Sequence, residues 1–242
     1  MNSIRFALIQ CRERDDPMCD HEVGCFVEAL DISREQISTI NLPYDPLSPE
    51  LFDVTDMFLV GGSGDFSVLD KEPFLFGFFD FLNEICSQGF PMFASCFGFQ
   101  ALCHAVGGKI TTDSKNAEVG SYQVSLTQDG KADPLFGSLP DCFFAQMGHK
   151  DRVVELPSTF VNLASSEKAP YQAFRVKDKP IYATQFHPEL TKSQNRERFE
   201  SYIKNYSNEK VGKSVQAIRE SFRESSETHR LLPEFVKQFV SC

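Results

Sequence analysis

Residues 90–110, FPMFASCFGFQALCHAVGGKI, run from an almost wholly apolar stretch into a cysteine and then into a helix-like pattern closed by Gly107 and Gly108. FPMFAS has the near-continuous apolar character of a strand covered on both faces, as in the interior of a parallel sheet. Ala94, Ser95 and Gly98 are small enough to permit a sharp strand-to-helix turn, which would aim Cys96 outward at the carboxyl end of the sheet. The unpaired N–H groups at the start of that helix, from Phe97 onward, favour a thiolate and can hold a developing oxyanion. The plainer reading of the same residues is a buried thiol in an ordinary βα unit.

Strand-like and helix-like runs alternate on the N-terminal side. IRFALIQ (4–10) reads as a strand, HEVGCFVEAL (21–30) as an amphipathic helix, ISTINL (37–42) as a second strand and DMFLVGG (56–62) as a third, which enters the loop GGSGDFS. In KEPFLFGFFDFLNEICSQG, Phe74, Phe78, Phe81 or Leu82, and Ile85 recur at helical spacing, and Gly89 stands where a C-terminal cap belongs. That helix packs a core, and Phe on a second face would mark a subunit contact. Beyond Gly108 come shorter strands with turn signals, in GSYQVSLTQDG, DCFFAQMGH, FVNLASS, YQAFRV and PIYATQF. The expected fold class is α/β, with a strand-rich second half closing on the first. From about Asn205 the chain turns polar, then ends in LLPEFVKQFVSC, where Leu231, Phe235 and Phe239 make a helical stripe. Residues 1–206 therefore read as one domain and 207–242 as a helical extension that packs back on it.

The 242 residues are 41% hydrophobic and carry 24 Phe, no Trp and a net charge of -10. That acidity argues against nucleic acid or an anionic membrane as partner, since either would repel it. With no apolar run near the ~20 residues of a membrane span, a cytoplasmic location is expected. The eight cysteines lack the close spacing of a disulfide-stapled scaffold and read as reduced thiols, Cys86 and Cys103 on apolar helix faces. His21 and Cys25 share an i, i+4 spacing able to hold a metal, but no second ligand pair follows, and neither metal nor cofactor is expected. Arg196 to Arg198 and the charges of the tail read as a solvated face.

A thiolate nucleophile needs a base. In IYATQFHPEL a strand reads up to His187, Pro188 blocks its continuation, and Glu189 lies two residues on, able to orient the imidazole. Cys96, His187 and Glu189 would then act as nucleophile, base and orienter. The glycines of GGSGDF (61–66) let backbone N–H groups approach a ligand, and one could join that of Phe97 as a second oxyanion donor.

In this order the sequence resembles the class I (triad) glutamine amidotransferase family. The resemblance spans most of residues 4–206. It rests on GG after the third strand, C-x-G-x-Q at Cys96, Gly98 and Gln100, then GGK, EVG at Glu118 to Gly120, H-K-D-R-V at His149 to Val153 and F-H-P-E at Phe186 to Glu189. Ala94 stands where the family usually has glycine, and Phe99 where it often has histidine. The resemblance implies a flavodoxin-like three-layer fold with a central, mostly parallel sheet. It implies a Cys96 nucleophile, a His187 base, a Glu189 orienter, oxyanion donors at the Gly62 and Phe97 amides, and Gly61, Ser63, Gln100, His149 and Lys150 around the substrate. The implied activity is hydrolysis of the glutamine side-chain amide, with the ammonia passed to a separate synthetase partner. A γ-glutamyl peptidase with the same triad, or a binding module without turnover, are the alternatives.

Overall fold

The structure, a computed structural model, describes residues 4–206 and 214–240, with only the backbone described at 205 and 206. Its strands are β1 (Phe6–Cys11), β2 (Ile37–Asn41), β3 (Met57–Ser63), β4 (Met92–Ser95), β5 (Lys109–Thr112), β6 (Glu118–Leu126), β7 (Cys142–His149), β8 (Asp151–Glu155), β9 (Phe160–Ser165), β10 (Ala173–Val176) and β11 (Ile181–Thr184). The α-helices are α1 (Met18–Leu30), α2 (Leu51–Val54), α3 (Pro73–Gln88), α4 (Phe97–Ala105), α5 (Gln128–Ala132), α6 (Lys192–Ser201), α7 (Val215–Ser221) and α8 (Leu231–Phe239). Nine strands form one sheet in the order β2-β1-β3-β4-β11-β10-β9-β6-β7. The first five run parallel and the last four join antiparallel, so the strand-rich second half extends the parallel core. β5 and β8 pair as a separate antiparallel ribbon that the sequence pattern did not mark.

Alternation along the strands feeds two apolar layers. Phe93 and Ala94 of β4 point to opposite faces. Phe93 joins Leu8, Phe26, Leu59 and Tyr182 on one face, while Ala94 joins Ile9, Val60, Phe78, Leu82 and Phe99 on the other. Pro73 sits in the first turn of α3 and Gly89 closes it with φ of 65°, a left-handed cap that favours glycine. The buried row is Leu75, Phe78, Phe81, Leu82 and Ile85, so the expected stripe holds except at its start, where Leu75 rather than Phe74 is buried. Phe74 instead meets Phe66 edge-on at 5.4 Å, and Phe76 is exposed.

The tail completes the first layer. Leu231, Leu232 and Phe235 of α8 are buried in it, and the Phe235 ring lies edge-on 5.7 Å from Phe93 and 5.7 Å from Tyr182, over the centre of the sheet. α7 crosses β6 so closely that a Cβ on Gly120, whose φ is 110°, would lie 2.0 Å from Ser221 Oγ. The start expected for the extension falls within residues 207–213, outside the described residues. No described helix is long and apolar enough to cross a membrane.

Candidate active site

The carboxyl ends of β3, β4 and β11 lie side by side, and each delivers part of the site. Cys96 links β4 to α4 with φ of 51° and ψ of −98°, a conformation costly for a residue with a Cβ, on the order of 1–3 kcal/mol. The surrounding bonds hold it there. The Cys96 N–H donates to Thr184 O at 2.8 Å, and the Gln100 N–H returns to Cys96 O at 3.1 Å. Gly98 lets α4 start against β3, because a Cβ there would meet Val60 Cγ1 at 2.6 Å. Phe97 opens α4, and first-turn N–H groups have no acceptor within their own helix.

β11 ends at Thr184, two residues short of the expected Phe186, because the Thr184 hydroxyl donates to Phe186 O and the His187 N–H turns to Gln146 O at 3.0 Å. His187 Nδ1 lies 2.7 Å from Glu189 Oε1. A carboxylate only accepts, so Nδ1 carries the proton and the remaining ring nitrogen is left for Cys96, whose side chain adds to the pull on the ring proton. All three side chains are buried. Burial by itself would lower the basicity of His187, but the charges of Glu189 and Cys96 outweigh it and hold the imidazolium pKa up at about 9. Elsewhere burial pushes the Cys25, Cys86 and Cys103 thiols up to about 12, 11 and 12, which makes them poor nucleophiles near neutral pH.

Cys96 opens on a cavity of about 280 Å³ whose lining includes Ser63, Phe66, Gln100, Lys150 and Asp151. Gln100 is fixed by bonds from Nε2 to Asp151 O at 2.8 Å and to Gln185 Oε1 at 3.1 Å. The Asp151 carboxylate accepts from Ser67 through Oδ2 at 2.5 Å, while its buried Oδ1 has no hydrogen-bond partner. His149 borders the cavity, but its ring is committed to the scaffold, with Nε2 3.0 Å from Glu118 Oε2 and Nδ1 3.0 Å from Asp151 O. Burial pushes the Glu118 carboxyl up, yet His149, Ser166 and Gln172 outweigh that and hold it below its usual range.

The glycine pair differs from expectation. Gly61 does not line the cavity: a Cβ on it would lie 2.5 Å from Glu22 Oε1, so its place is behind the site. The Gly62 N–H donates to the same Glu22 oxygen at 3.0 Å and is therefore turned away from an oxyanion on Cys96. A Cβ on Gly62 would meet His187 Cε1 at 2.9 Å, so the residue must be glycine to pack against this imidazole. Glu22 is wholly buried, and although burial opposes its charge, Arg12 and Arg198 lower its pKa to about 2.

Arg198 is another correction. The charge pattern puts it on a solvated face, whereas it is buried, with Nη1 3.4 Å from His187 Nδ1. Asp151 had a signal, lying inside the H-K-D-R-V segment, but Glu22 and Arg198 had none, because their partners come from distant parts of the chain. His21 and Cys25 do face each other, Sγ to Nδ1 at 3.6 Å. Among the described residues no group of three or more His, Cys, Asp or Glu side chains is placed to hold a metal ion.

Residues 22–205 match the family described as glutamine amidotransferase class-I. A GMP synthase [glutamine-hydrolyzing] from Thermosipho africanus is 37% identical over 151 residues, which are 62% of this chain and 27% of that protein. The chain thus matches only about a quarter of the length of that relative. Among solved structures, a glutamine amidotransferase from Thermotoga maritima superposes with a TM-score of 0.76 at 21% identity over 100% of both chains. A glutamine amido transferase from Methylobacillus flagellatus gives 0.77 at 20% identity, covering 98% of this chain and 95% of that one. At those identities the likeness is one of fold.

Proposed function

The chain belongs to the class-I glutamine amidotransferase family, and we propose that it hydrolyses the side-chain amide of glutamine through a thioester on Cys96. The observation that carries this reading is Cys96, held at a positive φ between strand and helix, next to the His187–Glu189 pair at the mouth of a cavity. Cys96 Sγ attacks the amide carbon, and the C–N bond breaks as the His187 imidazolium gives its proton to the departing ammonia. The neutral ring then takes a proton from water, whose oxygen attacks the thioester and releases glutamate and the thiol. Glu189 keeps the ring in the tautomer that both steps require.

The oxyanion faces the first-turn amide of Phe97; the Gly62 amide joins only if it leaves Glu22. The bare Asp151 Oδ1 suits the α-ammonium group of the substrate, and the Lys150 ammonium its α-carboxylate. From the likeness to a GMP synthase, we infer that the ammonia goes to a separate synthetase partner in the cytoplasm. Purified protein is assayed for glutamate and ammonia from L-glutamine and from γ-glutamyl dipeptides, with Cys96→Ser as blank. Equal release of both products from glutamine, lost in the blank, is expected. Cleavage of the dipeptides in preference would make the chain a γ-glutamyl peptidase, and turnover that survives in Cys96→Ser would remove the nucleophile.

A further inference from the structure

Behind the catalytic residues lies a row of alternating buried charges. Arg12, just past the end of β1, binds Glu22 of α1 in a fork, Nη2 to Oε1 at 2.9 Å and Nε to Oε2 at 3.1 Å. Gln10 Nε2 and the Gly62 N–H add bonds to the same carboxylate, each at 3.0 Å. Glu22 is thus satisfied without Arg198, whose Nη2 stands off at 3.7 Å. The other arm of Arg198 reaches forward, with Nη1 3.7 Å from Glu189 Oε1 and 3.4 Å from His187 Nδ1. Its Nε and Nη2 are buried without hydrogen-bond partners. A guanidinium held so close to a histidine that already carries a proton on the facing nitrogen is unfavourable for packing alone.

Catalysis gives it a purpose. His187 must both release a proton to ammonia and accept one from water, and a buried carboxylate beside it holds an imidazolium too tightly for the first task. We propose that Arg198 is a positioning residue that braces the Glu189 carboxylate from behind and, by its charge, keeps the proton on His187 transferable. The groups facing His187 are Cys96 from the β4–α4 turn, Glu189 from its own loop and Arg198 from α6, with Glu22 of α1 and Arg12 next to β1 one step behind. His21 of α1 and Tyr202 also lie near Arg198, while Asp16 closes on Arg12.

The inference rests on the Cys96–His187 reading, and its test uses no substrate. The protonation midpoint of the His187 ring is followed by NMR in the full chain, its resonance assigned by loss in His187→Gln. Arg198→Met, which removes the opposing charge, is expected to raise the midpoint by about one pH unit. Arg198→Lys should restore most of it. Glu22→Gln leaves Arg198 and Arg12 uncompensated and should move the midpoint down by a smaller amount, so the two removals have opposite signs. An unchanged or lowered midpoint in Arg198→Met, or a raised one in Glu22→Gln, overturns the inference; if Arg198→Met fails to fold, the Lys and Gln variants decide it. The expected shifts without glutamine turnover in the wild type would leave the inference standing and sink the glutaminase reading instead.

Discussion

Two histidines of this chain are buried against a glutamate, His187 with Glu189 at 2.7 Å and His149 with Glu118 at 3.0 Å. Burial and partner are the same, and what differs is the second ring nitrogen. In His149 it is occupied by the carbonyl of Asp151, whereas in His187 it meets Cys96. A histidine with both nitrogens tied to the scaffold fixes geometry, and one with a nitrogen facing a thiol can move protons. The comparison also separates two uses of charge. Glu118 holds the junction of β7 and β8, which carries Gly148 to Asp151 past the cavity, and in the proposed mechanism Glu189 tunes a base.

The largest expected effect falls on the working pair. His187→Gln should cut glutamine turnover by about 10⁴-fold or more, and Glu189→Gln by roughly 10²- to 10⁴-fold, both read as kcat/KM. His149→Gln should slow turnover far less and show its cost in thermal unfolding; an equal loss in the two histidine variants would break the distinction. Next comes the tail, whose Phe235 spans Phe93 and Tyr182. Phe235→Ala should cost about 3–5 kcal/mol in denaturant unfolding, and a loss under ~1 kcal/mol would mean that α8 is not part of the core.

Smaller still, Glu118→Gln removes a charged partner of His149 and should cost about 1–3 kcal/mol while leaving the pH dependence of kcat in place. A moved pH profile would give His149 a share in the chemistry. The weakest effect appears in acid. Glu22 and Glu118 have folded pKa values below the ordinary 4.5, Glu22 about 2, so the stability they add is complete above about pH 4.5 and is lost as pH falls toward those values. Melting temperature should therefore drop more steeply between about pH 5 and 2 in the wild type than in Glu22→Gln. Parallel curves would show that the Glu22 charge contributes nothing. On the alkaline side, the proposed mechanism predicts that turnover declines as pH rises through about 9, where His187 loses its second proton.

How far the sequence could be read depended on how local the cause was. The apolar run at 90–95 and the small residues around Cys96 act within a few positions, and they locate β4 and the turn into α4, whereas the block at Pro188 does not locate the end of β11, which comes earlier, at Thr184. Likewise the stripe Leu231, Phe235 and Phe239 marks α8 because one helix face must be apolar wherever it docks. β5 and β8 escaped notice because short, half-exposed strands such as KITT carry little alternation. The Gly62 amide, Glu22 and Arg198 were out of reach for a stronger reason. A charged residue reads as solvent-facing until its partners are known, and here those partners come from the end of β1, α1, α6 and the loop after β11. The direction of one peptide N–H leaves no trace in composition or spacing.

The central claim is that Cys96 is the nucleophile and that His187, rather than His149, activates it. The most direct measurement is covalent labelling by a chloroketone analogue of glutamine, with the modified peptide mapped by mass spectrometry in the wild type, His187→Gln and His149→Gln. Labelling at Cys96 alone, strongly slowed in His187→Gln and retained in His149→Gln, is the result this account requires. Labelling of another cysteine, or an undiminished rate at Cys96 without His187, would contradict it.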